Sequence, residues 1–241
     1  MTDSSKGIVL QQLRYGDTSL IVKVFTDTHG LLSFIIKGAS GKHSRFKPAL
    51  FQPLTLIAFN ARIKPGRDLH FMTEVAIDVP FASLHTDIKK NAVVLFMSEL
   101  LYKTIVESNP NPTLYRFVHN SIQWLDLQQE SFASFPLYFM VELSRYLGFY
   151  PKSSGFEQGQ VFDMLDGVFR VNHPSVFHAM TQDESTAFYQ FCQTPLDRLS
   201  SNRIERSMRR QLIEQLIVYY RLHLPGFRGL HSHIVLAEIS G

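Results

Sequence analysis

The sequence predicts an α+β protein in which an N-terminal five-stranded barrel of the OB-fold type precedes a mainly α-helical domain with a small hairpin insertion. Three observations carry that prediction. Residues 7–75 hold five short runs rich in Val, Ile, Leu, Phe and Thr, separated by Gly-, Asp- and Pro-containing turns. Beyond Pro80 the apolar period changes from two to about 3.6. The chain has 241 residues, 45% of them hydrophobic, enough to bury the cores of one or two domains.

The five runs are Gly7–Leu13, Ser19–Thr26, Leu31–Ile36, Leu54–Phe59 and Leu69–Val75. In the second, Leu20, Val22 and Val24 alternate with Ser19 and Lys23, as a half-buried strand requires. Tyr15-Gly16-Asp17, Asp27-Thr28-His29-Gly30 and Pro65-Gly66-Arg67-Asp68 supply turns. Closing five strands into a barrel removes exposed sheet edges, and the OB type is the commonest such solution; an SH3-like barrel is the alternative on pattern alone.

Helices follow. Val93, Phe96, Met97, Leu100, Leu101 and Ile105 form an apolar stripe, and Asn109-Pro-Asn-Pro112 stops it. Leu114, Phe117, Val118, Ile122 and Leu125 mark a second helix. Phe135–Leu147 is apolar nearly all round, which predicts a central buried helix ended by Gly148. Val161–Met164 and Val168–Val171 around Leu165-Asp166-Gly167 read as a hairpin. A long helix is expected from Asn202, in capping-box spacing with Glu205, to His223, where Leu224-Pro225-Gly226 halts it; a short one is expected over Ser232–Ile239. The domains are thus 1–80 and 81–241, with 148–172 as the insertion.

Several function classes lack the residues they need. No run of 18 apolar residues exists, so no transmembrane helix is expected, and the first residues lack a secretory pattern, which predicts a cytoplasmic protein. Cys192, the single cysteine, excludes an internal disulfide and a cysteine-based zinc site, and its apolar neighbours Phe188 and Phe191 predict a buried small hydrophobe. There is no G-x-S-x-G, H-E-x-x-H or G-x-G-x-x-G. Gly38-Ala-Ser-Gly41-Lys42-His43-Ser44 has two residues between its glycines where a phosphate loop needs four, and His43 follows the lysine. His231 and His233 have no third metal ligand in view, and Asp163 and Asp166 read as solvated turn carboxylates. No catalytic residue, metal or cofactor is expected.

Charge gives the positive signal. The net charge is only +3, yet from Lys37 to Arg67 there are seven cations (Lys37, Lys42, Arg45, Lys47, Arg62, Lys64 and Arg67) and no acid. Two basic loops converging on one side of a barrel would make a groove for a phosphate backbone. Phe46 and, more weakly, Phe51 lie among these charges as candidates for base stacking, with a core role as the alternative for each. On the last long helix Arg203, Arg206 and Arg210 share a face by +3 and +4 spacing, with Arg209 offset; they offer a second phosphate contact or a landing site for an acidic peptide.

The opening GIVLQQLRYGDTSLIVKVFTDTHGLLSFIIKGA, the segment Ser44-Arg-Phe-Lys-Pro-Ala-Leu50 leading into Gln52-Pro53-Leu54, and Tyr220-Arg-Leu-His-Leu-Pro-Gly-Phe-Arg228 with Leu230 and Ser232 form an ordered set. Taken in that order, they resemble the bacterial RecO family of DNA repair proteins. The resemblance implies an OB-fold followed by a helical domain. It also implies a recombination mediator, associated with the nucleoid, that binds single- and double-stranded DNA and anneals strands. Such a protein engages the acidic C-terminal tail of single-stranded-DNA-binding protein (SSB) and, with RecR, helps load RecA. Arg116 and Arg145, the arginines within 81–150, are candidates for the tail contact. Many relatives carry a four-cysteine zinc module after the central helices; here that region has no cysteine, so a metal-free hairpin packed through Phe156, Phe162 and Phe169 is expected. Two other classes stay open: a module that binds acidic peptides with incidental DNA contact, and a magnesium nuclease built on Asp163 and Asp166.

Overall fold

Gly7 lets one strand serve two partners. In the structure, a computed structural model that describes residues 3–38, 47–64, 66–105, 109–129, 131–173, 176–202 and 204–239, β1 (Asp3–Tyr15) pairs first with β4 (Leu56–Arg62) and then with β2 (Ser19–Thr26). Gly7 faces both Thr26 and Ile57, and a Cβ there would lie 2.3 Å from Val24 Cγ1. The close approach requires glycine. A register shift between Val9 and Gln11 adds curl to the long strand.

β3 (Gly30–Ile36) runs antiparallel to β2 and parallel to β5 (His70–Ile77), which is antiparallel to β4. The closed order β1-β2-β3-β5-β4, with its parallel β3–β5 contact, is the OB-fold and not the SH3-like alternative. Leu54, expected to open the fourth strand, instead has φ 60° and donates its N–H to Val9 O at 2.7 Å, so the strand begins at Leu56.

Val9, Val22, Val24, Phe34, Ile57 and Phe59 fill the barrel, with Phe34 edge-on to Phe59 at 5.2 Å between ring centres. Phe51 ends a short 3₁₀ turn (Pro48–Phe51) and plugs the same core with none of its surface exposed. The core alternative is therefore the right one for Phe51, and base stacking by it is ruled out. Burying a side chain of this size is worth roughly 1.5–3 kcal/mol.

Two helices complete the first compact unit, which ends at Leu127. In α1 (Ile88–Thr104) the expected stripe is buried, Asp87 caps the first turn by accepting from Lys89 and Lys90 N–H, and Ser98 Oγ donates to Leu10 O of β1. In α2 (Pro112–Leu127) Tyr115 packs on Phe25 of β2. Asp126 on α2 accepts from the N–H groups of Ala82, Ser83 and Leu84 at 2.8–2.9 Å, tying the barrel's exit strap to the helices. The change of period at Pro80 marks where strands give way to helices, while the chain divides into compact units after Leu127.

The second unit, from Gln128, is built on α3 (Phe135–Tyr146), a hairpin of β6 (Gln160–Asp163) and β7 (Val168–Val171), α4 (Gln182–Cys192), α5 (Arg206–His223) and α6 (Ser232–Ile239). Gly148, at φ 89°, terminates α3, and Tyr220 of α5 reaches Met140 O at 2.6 Å through a buried hydroxyl. The hairpin packs as expected: Phe169 lies 5.1 Å from Phe156 and 5.0 Å from Phe162, and Phe162 continues to Phe188 at 4.9 Å.

The expected capping box of Asn202 and Glu205 does not form. Asn202 Nδ2 instead donates to Thr194 Oγ1 at 2.6 Å, and the helix starts at Arg206 with Glu205 at its N-cap. The capping box in this unit belongs to Thr181 and Glu184 on α4. Among the described residues, no helix is long and apolar enough to cross a membrane.

Candidate nucleic-acid interface

One cationic site lies where β4 and β5 separate. A bulge between Asn60 and Ala61, its carbonyl satisfied by Thr73 Oγ1 at 3.1 Å, shifts the register so that Arg62 pairs with Phe71. The loop that follows carries Lys64 and Arg67, with Gly66 at φ 74° making the turn. Arg62, Lys64, Arg67, Leu69, His70, Phe71 and Thr73 enclose a cleft of about 270 Å³. Lys37, just past the end of β3, sets its ammonium 5.5 Å from the Phe71 ring centre. Topology thus brings together cations 25 or more residues apart in sequence. In OB-folds this β4–β5 loop is one of those that grip nucleic acid.

Electrostatically the cleft is open. Lys37, Arg62, Lys64 and Arg67 are exposed, and none forms an ion pair among the described residues. Asp68 is the acid within the loop. His70 is buried, and burial, with help from His29, holds its imidazole below the ordinary value. Neutral His70 can therefore accept the Lys64 N–H at Nδ1, 3.4 Å away, and steady the loop.

The remaining cations of the basic stripe divide. Lys47 is exposed at the N-cap of the 3₁₀ turn. Lys42, Arg45 and Phe46, with the segment compared above to a phosphate loop from Ala39 onward, lie outside the described residues. Phe71, 44% exposed, is the aromatic at the cleft that sequence reading passed over. Its signal was the alternation of β5: Met72 faces inward, so its neighbour faces out.

A second cleft, of about 610 Å³, lies in the second unit between α5 and α6. Arg206, Arg209 and Arg210 meet Ile213, Ile234 and Leu236 there, guanidinium groups against an apolar wall. Arg206 Nη2 donates to Ala237 O at 2.7 Å, and Arg210 pairs with Glu214 at 3.0 Å. Arg209, set aside as offset on the helix face, lines the cleft too. Burial first, and Arg206 second, lower its pKa. Arg203 lies outside the described residues, ahead of the helix.

Arg116 is exposed on α2, in the first unit. Arg145 is committed to Glu142 at 3.2 Å and lies over the Tyr150 ring at 3.7 Å; the Glu142 hydrogen bond is the main cause of its raised pKa. Arg145 is not among the residues that line the arginine cleft.

The other chemical candidates have structural roles. Arg170 holds Asp163 at 3.2 Å and Asp166 at 2.5 Å, clamping the hairpin, and Asp163 also accepts the Leu165 N–H. Cys192 is half-buried, less enclosed than expected, and desolvation of its thiol pushes the pKa up to about 12. Among the described residues, no three His, Cys, Asp or Glu side chains converge as a metal-ligand group.

Residues 1–80 match the family model described as recombination protein O N terminal, and residues 85–155 match recombination protein O C terminal. The chain is 37% identical over 240 residues to a DNA repair protein RecO of Bacteroides fragilis, covering 99% of each. It is 37% identical over 243 residues to that of Flavobacterium psychrophilum, again covering 99% of each, and 31% identical over 239 residues to that of Porphyromonas gingivalis, covering 98% of each.

Proposed function

The chain belongs to the RecO family of DNA repair recombination mediators, and from that premise we propose that it works by gripping DNA strands in the barrel cleft without cutting or modifying them. The observation that carries this reading is the gathering of Arg62, Lys64 and Arg67 on one cleft, with Lys37 set against Phe71, the exposed ring in its wall. Cations at this density take up phosphates through counterion release, which serves single and double strands alike and needs no base readout. Lys47, exposed on the first unit, adds to the same positive charge, and Lys42 and Arg45 stay candidates from the sequence alone.

Holding two strands by their backbones lowers their mutual repulsion, so annealing of complementary strands follows from the same site. The arginine cleft of the second unit suits a different partner. Guanidinium groups beside Ile213, Ile234 and Leu236 match an acidic peptide with an apolar end, such as the tail of SSB. Through these two sites, and with RecR, the protein would help place RecA on coated strands in the cytoplasm, next to the nucleoid. Nucleotide hydrolysis by this chain is not required.

The test is strand annealing by the charge-reversed variant R62E/K64E/R67E. The expected result is annealing near the spontaneous rate, with binding of an acidic, Phe-ended peptide retained. Annealing at the unaltered rate would overturn the assignment of the cleft and favour the reading as a peptide-binding module.

A further inference from the structure

β-Sheet register draws a line across the outer face of the barrel. Leu13 of β1 pairs with Ile21 of β2, Ile21 with Ile35 of β3, Ile35 with Phe71 of β5, and Phe71 with Arg62 of β4. Alternation puts the neighbours Leu20, Val22, Phe34, Ile36 and Met72 into the core, so this row points away from it. Leu13 is 48% exposed, Phe71 is 44% exposed, and Ile21 and Ile35 between them are half-buried. A soluble barrel gains nothing by presenting an unbroken apolar row to water, and sheets more often place polar residues there.

The row runs into the cationic cleft. Arg62 is its last member, and the Lys37 ammonium stands 5.5 Å from the Phe71 ring centre, so an apolar track ends in phosphate-binding charge. We infer that this row is a base platform: unpaired bases lie on Phe71, Ile35 and Ile21 while their phosphates reach Lys37, Arg62 and Lys64, and Phe71 makes the site discriminate single strands from duplex. The inference rests on the reading that the cleft takes nucleic acid and adds which face of the strand it reads. Three strand spacings of about 4.8 Å separate Leu13 from Phe71, a length that fits roughly two or three bases on a sheet-borne platform.

The chemistry supports a single strand as the occupant. Its bases are exposed, planar and apolar-faced, whereas in a duplex they are stacked on one another and only backbone charge is presented. An apolar protein surface would complement the row equally well but would leave the flanking cations without partners.

The experiment measures the affinity of the full chain for a labelled oligothymidylate and for a hairpin duplex, using the unaltered protein, Phe71→Ala and Phe71→Trp. Phe71→Ala is expected to weaken single-strand binding by about 5- to 150-fold, the worth of one stacked base, while duplex binding stays within about twofold and the salt slope is unchanged. Phe71→Trp should restore or exceed single-strand affinity. Because Phe71 is exposed, unchanged thermal unfolding separates these effects from loss of fold. Equal losses on both DNAs, or none on either, would overturn the platform. The reading beneath it falls separately, if R62E/K64E/R67E leaves both affinities intact.

Discussion

Neutralising the cleft without reversing it gives the most quantitative prediction. In R62Q/K64Q/R67Q three exposed cations are lost and none of them leaves a broken ion pair among the described residues, so each substitution should change stability by no more than about 0.5 kcal/mol. Each phosphate contact contributes about 0.7 to the slope of log affinity against log salt on a single strand, so the variant's slope should be shallower by about 2.1. Over a fourfold rise in salt that difference corresponds to an affinity loss about 18-fold smaller than in the unaltered protein. Lys37, left in place, should retain one contact. The assay is fluorescence anisotropy of a labelled oligothymidylate at roughly 50, 100 and 200 mM salt. An unchanged slope would refute the reasoning, because counterion release is proportional to the phosphates actually neutralised.

Two further predictions concern the first unit. Burial raises the Asp126 carboxyl pKa, but the N–H groups of Ala82, Ser83 and Leu84 and the Ser83 hydroxyl lower it by more, leaving it below the usual range. Its stabilisation is therefore present above the unfolded-state pKa and lost as pH falls through the lower folded value; Asp126→Ala should cost about 3 kcal/mol near neutrality and flatten the acid limb of a denaturant-midpoint profile. His70 works in the other sense, as a base held neutral by burial. As pH falls below its ordinary 6.5 the unfolded chain takes up the proton first, so stability declines from there to the lower folded value; His70→Gln should remove that decline in thermal unfolding scanned against pH.

The sequence made the barrel legible because its strands obey period two: Leu20, Val22 and Val24 face inward where alternation put them. The helices followed from the apolar stripes and from Gly148, whose positive φ ends α3. What stayed hidden depended on contacts between distant segments. Asn202 and Glu205 have capping-box spacing, yet Thr194 competes for the Asn202 side chain, a partner that spacing cannot reveal. Phe51 lies within the charged stretch and Phe71 just beyond it, but one plugs the core and the other pairs with Arg62 on the outside.

The cations were found by composition alone; their common cleft was not, because it needs the β4–β5 bulge and the parallel β3–β5 pairing. Arg209, read as offset, stands three residues after Arg206, within helical reach of the same face, and it lines the cleft with Arg206 and Arg210. Arg145 shows the converse: a basic residue whose charge is already answered, by Glu142.

Hydrogen exchange of the full chain, with and without saturating oligothymidylate, tests most directly whether the barrel holds DNA. Slowed exchange over residues 62–71, the loop of Lys64 and Arg67 with the flanking ends of β4 and β5, is the predicted result. Unchanged exchange there, with protection confined to α5 and α6, would contradict the account and move the DNA site to the arginine cleft.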